Sequence, residues 1–175
     1  MKDGDRERIR EIAERYGLRG RPLIDHRIRS LLLRRVDTLP PALVLAQAAN
    51  ESAWGTSRFA RLGNNIFGEW TFKPGTGIVP EGRPEGATYE VRKFKSIYQS
   101  IRSYINNINR HNAYRNLRRI REKLRKSSKQ VTGTALAKGL EKYSQRGEAY
   151  VKEIQLMIRQ NNLERINTAS LRLPT

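Results

Sequence analysis

Apolar positions recur at helical spacing along most of this chain. In residues 5–16, Ile9, Ile12, Ala13 and Tyr16 share one face, and Gly17 supplies a stop. A second helix is predicted from Pro22, with Ile24, Ile28, Leu31 and Leu32 in phase. Pro40 and Pro41 open a third. From Leu43 to Ala49 its only polar residue is Gln47, so it reads as buried on most sides, and Gly55 ends it. Thr56 and Ser57 can cap a short turn, RFARL, ahead of Gly63, Asn64 and Asn65.

The pattern then changes. Residues 68–87 are dense in glycine and proline (Pro74, Pro80, Pro84) and predict a loop, long enough to line a substrate. Residues 88–95 alternate as one strand of a small hairpin. Helical spacing returns over 96–109, with Ile97, Ile101, Tyr104, Ile105 and Ile108 inward. It continues over 112–126 in a basic helix striped by Tyr114, Leu117, Ile120 and Leu124. Residues 134–142 and 147–161 predict two closing helices, the second carrying Val151, Ile154, Met157 and Ile158. A loose tail follows. The expected organisation is one globular unit: a helical segment 1–36 packed on a domain 37–161, then a tail 162–175.

A chain of 175 residues suits one domain with a sizeable core. Lys and Arg number 35 against 17 Asp and Glu, giving +18 and a field that attracts polyanions. That charge names an acidic partner without choosing one. The basic positions of 115–129 spread around a polar face, which reads as a solvated surface. Zero cysteines exclude disulfide and thiol chemistry, and His26 and His111 stand apart from any second metal ligand. Neither a metal nor another cofactor is expected. No apolar run is long enough to span a membrane, and MKDGDRERIR lacks the apolar stretch of a signal peptide.

One carboxylate stands out. Glu51 lies near the end of the apolar third helix, where burial and the negative end of the helix dipole both favour its protonated form. A neutral carboxylic acid near neutral pH is what a general acid needs to protonate a poor leaving group. The competing reading is a capping or salt-bridged glutamate.

The residues around it resemble the bacterial glucosaminidases of glycoside hydrolase family 73, most closely their Bax-type branch. The matching blocks are Leu45-Ala46-Gln47, Asn50 to Ser57 (NESAWGTS) and Asn65-Ile66-Phe67-Gly68. Thr88-x-Glu90 ahead of Phe94, Tyr98-x-Ser100-Ile101-x-x-Tyr104, Asn112-Ala113-Tyr114 and Tyr143…Tyr150 follow in order. The resemblance implies a mainly α, α+β lysozyme-like fold, with a helical lobe and a small hairpin and loop lobe flanking a cleft. It further implies hydrolysis of the β-1,4 bond after N-acetylglucosamine in peptidoglycan. By position, Glu51 becomes the acid, Tyr114 a site tyrosine and Glu90 the second carboxylate, with Glu69 its rival. Trp70, Phe67, Asn65 and Tyr89 join Glu69 as substrate-lining candidates. For Phe67, core anchoring is the preferred alternative, and for Asn65 a bond to its own turn. Trp54 is expected to pack beneath the site. Relatives often carry cysteines where this chain has Thr71 and Thr76, so any covalent clip there is missing.

The expected partner is peptidoglycan glycan, with an anionic envelope surface as a second, and the expected place of action is the periplasm, envelope or exterior of a monomeric protein. Nucleic acid is not expected. Two other readings stand beside the glucosaminidase: a lytic transglycosylase or muramidase on a related fold, and a non-enzymatic basic module binding nucleic acid or wall.

Overall fold

The computed structural model describes residues 3–169, and its architecture is α+β and mainly α, consistent with a lysozyme-like fold. The described residues form eight helices: α1 Asp3–Arg15, α2 His26–Arg35, α3 Pro41–Ser52, α4 Arg58–Gly63, α5 Ile97–Arg110, α6 Arg115–Lys126, α7 Gly133–Ala137 and α8 Glu148–Gln160, of which α3 and α5 to α8 build the main core. α3 is the axis. Pro41 begins it with a preset backbone angle, and Ala53 ends it in the left-handed conformation at φ 50°. Ala42, Leu43 and Ala46 are fully buried against Ile108, Leu117, Leu136, Ile154 and Ile158. Each such large aliphatic side chain contributes about 1.5–3 kcal/mol through burial.

Side-chain caps place the other helices. Ser57 accepts the Ala60 N–H at the start of α4, Ser96 that of Gln99 at α5, and Thr132 that of Ala135 at α7. The second helix begins later than Pro22 suggested, because Asp25 takes the Arg27 N–H at 2.7 Å. The predicted 112–126 helix is divided: a 3-10 turn, Asn112–Tyr114, precedes α6. α7 is shorter than the predicted 134–142 helix. Just beyond its end the chain packs closely on α6, since a Cβ on Gly139 would stand 2.3 Å from Leu117 Cα.

Residues 68–87 are not all loop. β1 Trp70–Thr71 and β2 Gly77–Ile78 flank β3 Glu90–Arg92 in an antiparallel sheet of order β1-β3-β2. β3 is therefore the central strand, with Trp70 opposite Val91 and Ile78 also opposite Val91 from the other side. Gly77 makes this possible, because a Cβ there would meet Val91 O at 2.4 Å. Thr71 Oγ1 and Thr76 Oγ1 lie 2.8 Å apart, so a hydrogen bond joins the two ends of the β1–β2 turn.

Two expectations about surface residues fail. Arg118 and Arg121 of α6 are 2% and 1% exposed rather than solvated. Arg118 donates to the carbonyls of Ile108 and His111, closing the end of α5. Arg121 donates to Thr38 O, Arg34 O and Asn109 Oδ1 and pairs with Asp37 at 3.1 Å. Burial lowers the pKa of both guanidinium groups, Arg118 to about 10. The tail, too, begins as structure. A 3-10 helix, Leu163–Thr168, packs on α3, with Asn167 Oδ1 accepting the Ala42 N–H and Glu164 accepting those of Gly133 and Thr134. The rest of the predicted tail, 170–175, lies outside the described residues.

α1 and α2 form a second, smaller core of Ala13, Leu18 and Leu32. A groove of about 930 Å³ between them is lined by Ile9, Leu23 and Leu33 among others.

Candidate active site

Glu51 sits in the last turn of α3, half-buried, where the helical body meets the sheet lobe. The turn into β1 comes up beside it: a Cβ on Gly68, which has φ +65°, would lie 3.9 Å from Glu51 Oε2. The other oxygen, Oε1, accepts a hydrogen bond from the Tyr150 hydroxyl at 2.7 Å. Burial raises the Glu51 pKa above the ordinary carboxylate value. Hydrogen bonds from Tyr150 and Asn50 offset part of that rise, and the charge of Glu153 adds to it.

Tyr150 is itself held from behind. Gln47, one helical turn before Glu51 on the same face of α3, donates from Nε2 to the Tyr150 oxygen at 2.9 Å. The Tyr104 hydroxyl donates in turn to Gln47 Oε1. Gln47 is fully buried, and Tyr104 and Tyr150 are each 2% exposed. Burial, with Glu51 close by, pushes the pKa of Tyr150 well up, so its phenol stays neutral and donates. Two stacked pairs fix these rings: Phe67 on Tyr104 at 3.9 Å and Tyr143 on Tyr150 at 5.3 Å. The Tyr143 hydroxyl donates to Phe67 O at 3.2 Å and ties the Asn65–Gly68 turn to this aromatic wall.

The sequence-predicted residues separate into groups. Tyr114 is 7% exposed and its ring lies 6.0 Å from that of Tyr143, in the wall around Glu51. Burial raises its pKa, with the Glu51 charge adding to the rise. Phe67 is core, at 5% exposed. Asn65, 1% exposed, uses its whole amide internally: Nδ2 donates to Glu69 O and Arg92 O, and Oδ1 accepts the Glu69 N–H. It therefore hangs the sheet lobe from the end of α4, with both amide hydrogens committed to backbone carbonyls.

Glu90 points into the β1–β2 turn, where its two oxygens accept the N–H groups of Gly75 and Gly77 at 2.9 and 2.8 Å. Those backbone bonds lower its pKa. Glu69 accepts from Arg92 Nη1 at 2.5 Å and from Ser103 Oγ at 2.9 Å. Both candidate second carboxylates are thus engaged in holding the sheet lobe. Trp70 is 50% exposed and stands edge-on to Tyr89 at 4.8 Å, presenting a flat apolar surface to solvent. Trp54, expected beneath the site, is 65% exposed with φ 58°.

Sequence reasoning gave a site role to Glu51 but none to Gln47 or Tyr150, although both stand in the blocks that carry the family resemblance. Gln47 left a signal, the one polar side chain in an apolar run and four residues before the carboxylate. Tyr150 left its signal only in the Tyr143…Tyr150 block, since it lies 99 residues from the carboxylate it holds.

A family model for glucosaminidase, described as mannosyl-glycoprotein endo-beta-N-acetylglucosaminidase, matches residues 31–163. The Bax protein of Escherichia coli (strain K12) is 36% identical over 157 residues, covering 90% of this chain and 56% of the relative. The chain thus spans little more than half the length of that protein. No solved structure matches it.

Proposed function

We propose, from the premise that this chain belongs to the glucosaminidase family, that it is a peptidoglycan hydrolase of the bacterial envelope. Its reaction is endo-cleavage of the β-1,4 bond after N-acetylglucosamine, with Glu51 as general acid. The observation that carries this reading is the state of Glu51. It is a half-buried carboxyl with a raised pKa, its Oε1 accepting from Tyr150 and its Oε2 facing the glycine at the junction of the two lobes.

In this mechanism the proton of Glu51 passes to the departing glycosidic oxygen as the C1–O bond breaks, and that oxygen keeps the bond's electron pair. A second group must then meet the cationic C1. Glu90 and Glu69 are both engaged elsewhere, which favours the 2-acetamido carbonyl of the substrate itself as nucleophile. Water then attacks C1 from the opposite side and returns its proton to Glu51, so configuration is retained. Tyr114 and Tyr143 form the wall against which the acetamido group would lie, and Trp70 offers a ring for stacking on a sugar face. The net charge of +18 would draw the protein to anionic wall polymers.

Digestion of purified sacculi tests the proposal. Products should carry reducing N-acetylglucosamine ends of β configuration when first released, and Glu51→Gln should lower turnover by at least about a hundredfold without unfolding. Anhydro or N-acetylmuramic acid ends would indicate a transglycosylase or muramidase instead.

A further inference from the structure

We propose that Tyr104 and Gln47 are positioning residues that hold the proton of Glu51 on one chosen oxygen. They do so by fixing the direction of the hydrogen-bond chain Tyr104–Gln47–Tyr150–Glu51. The proposal rests on Glu51 being the acid and goes further, because it assigns the acid's active oxygen and names two residues that never meet the substrate.

The placement of the Gln47 amide sets the direction of the links. A carboxamide oxygen accepts and its nitrogen donates. The Tyr104 hydroxyl donates to Gln47 Oε1, so Gln47 Nε2 must face Tyr150, and it donates to the phenol oxygen at 2.9 Å. Having accepted there, Tyr150 directs its own proton outward to Glu51 Oε1 at 2.7 Å. Oε1 is therefore an acceptor, and the carboxyl proton is left to Oε2. In water the two oxygens of a carboxylic acid are equivalent. Here the chain removes that equivalence and puts the proton on the Gly68 side, where the neighbouring residue has no side chain. All three residues behind the acid are essentially dry, so water offers no competing partners.

A buried glutamine and two buried tyrosines need partners in any protein. A purely structural role predicts lost stability and nothing more. Tyr104→Phe separates the two, since the ring and its stack on Phe67 remain and only the hydroxyl is lost. Without that donor the Gln47 amide can turn over, offer its oxygen to Tyr150 and draw the phenol proton away from Glu51. Glu51 then loses a bond that favours its anion, and its own proton is drawn toward the phenol oxygen.

On soluble peptidoglycan glycan fragments, kcat should fall about tenfold with KM near wild type. The alkaline limb of kcat/KM should move up by about half to one pH unit. Other titratable or charged groups around Glu51 are Tyr114 of the 3-10 turn, Tyr143 before α8, and Glu153 of α8 with its partner Arg146. The variant substitutes none of them. Tyr150→Phe should shift the limb in the same direction, and adding Tyr104→Phe to it should shift nothing further, because the chain is already cut.

A lowered Tm with unchanged kcat and limb would overturn the proposal, as would additive limb shifts in the double variant. Activity surviving in Glu51→Gln would instead sink the acid assignment, a separate result.

Discussion

Arg121→Met removes the most heavily bonded buried cation described in the protein. Its guanidinium satisfies Thr38 O, Arg34 O and Asn109 Oδ1 at 2.8–3.0 Å and pairs with Asp37 at 3.1 Å. Methionine refills most of the volume but supplies no donor. Three acceptors lose their partner, each costing about 1 kcal/mol at the low end, where partial access to water softens the penalty. Asp37 loses little, because Arg125 still holds both its oxygens at 2.6 and 2.7 Å. Removing a desolvated charge returns part of the loss. The net expectation is about 2–4 kcal/mol, a large share of the 5–15 kcal/mol typical of a domain. Urea unfolding followed by circular dichroism measures it. Arg121→Lys keeps the charge but not the planar fork and should recover less than half. A loss below about 0.5 kcal/mol for methionine, or full recovery by lysine, would refute this account of why an arginine is buried there.

Three further outcomes are expected. Thr71→Cys with Thr76→Cys should form a disulfide under mild oxidation, because the two hydroxyls already touch, and should raise Tm; mass spectrometry showing only free thiols would contradict this. Trp70→Ala should leave stability within about 0.5 kcal/mol, the range for an exposed side chain, yet raise KM for glycan strands severalfold. Glu90→Gln weakens the hold on the Gly75 and Gly77 N–H groups. It should raise KM by loosening the sheet lobe while leaving the alkaline limb of kcat/KM in place; a displaced limb would put Glu90 back into proton transfer.

The helices were legible because burial on one face imposes a period that the residues display. α3, α5 and α8 appear close to where Leu43, Ile101 and Ile154 put them. β1 and β2 were hidden for a physical reason: two-residue strands are too short to alternate, and they form because β3 supplies partners on both edges. Arg118 and Arg121 were misjudged because periodicity assigns every arginine to water. Burial of these two depends on carbonyls at the ends of α5 and α2, which no local pattern reports. At the site the same division holds. Glu51 and Gln47 share a helix face and are readable together, whereas Tyr104 and Tyr150 join them only through tertiary packing.

Glu164 and Asn167 give the far end of the described chain a mechanical role. Asn167 grips the first turn of α3 through Ala42, and Glu164 grips the start of α7. Tension applied beyond Thr168, whether from a tether or from a neighbouring segment, would pull on the root of the same rod that carries the acid at its tip.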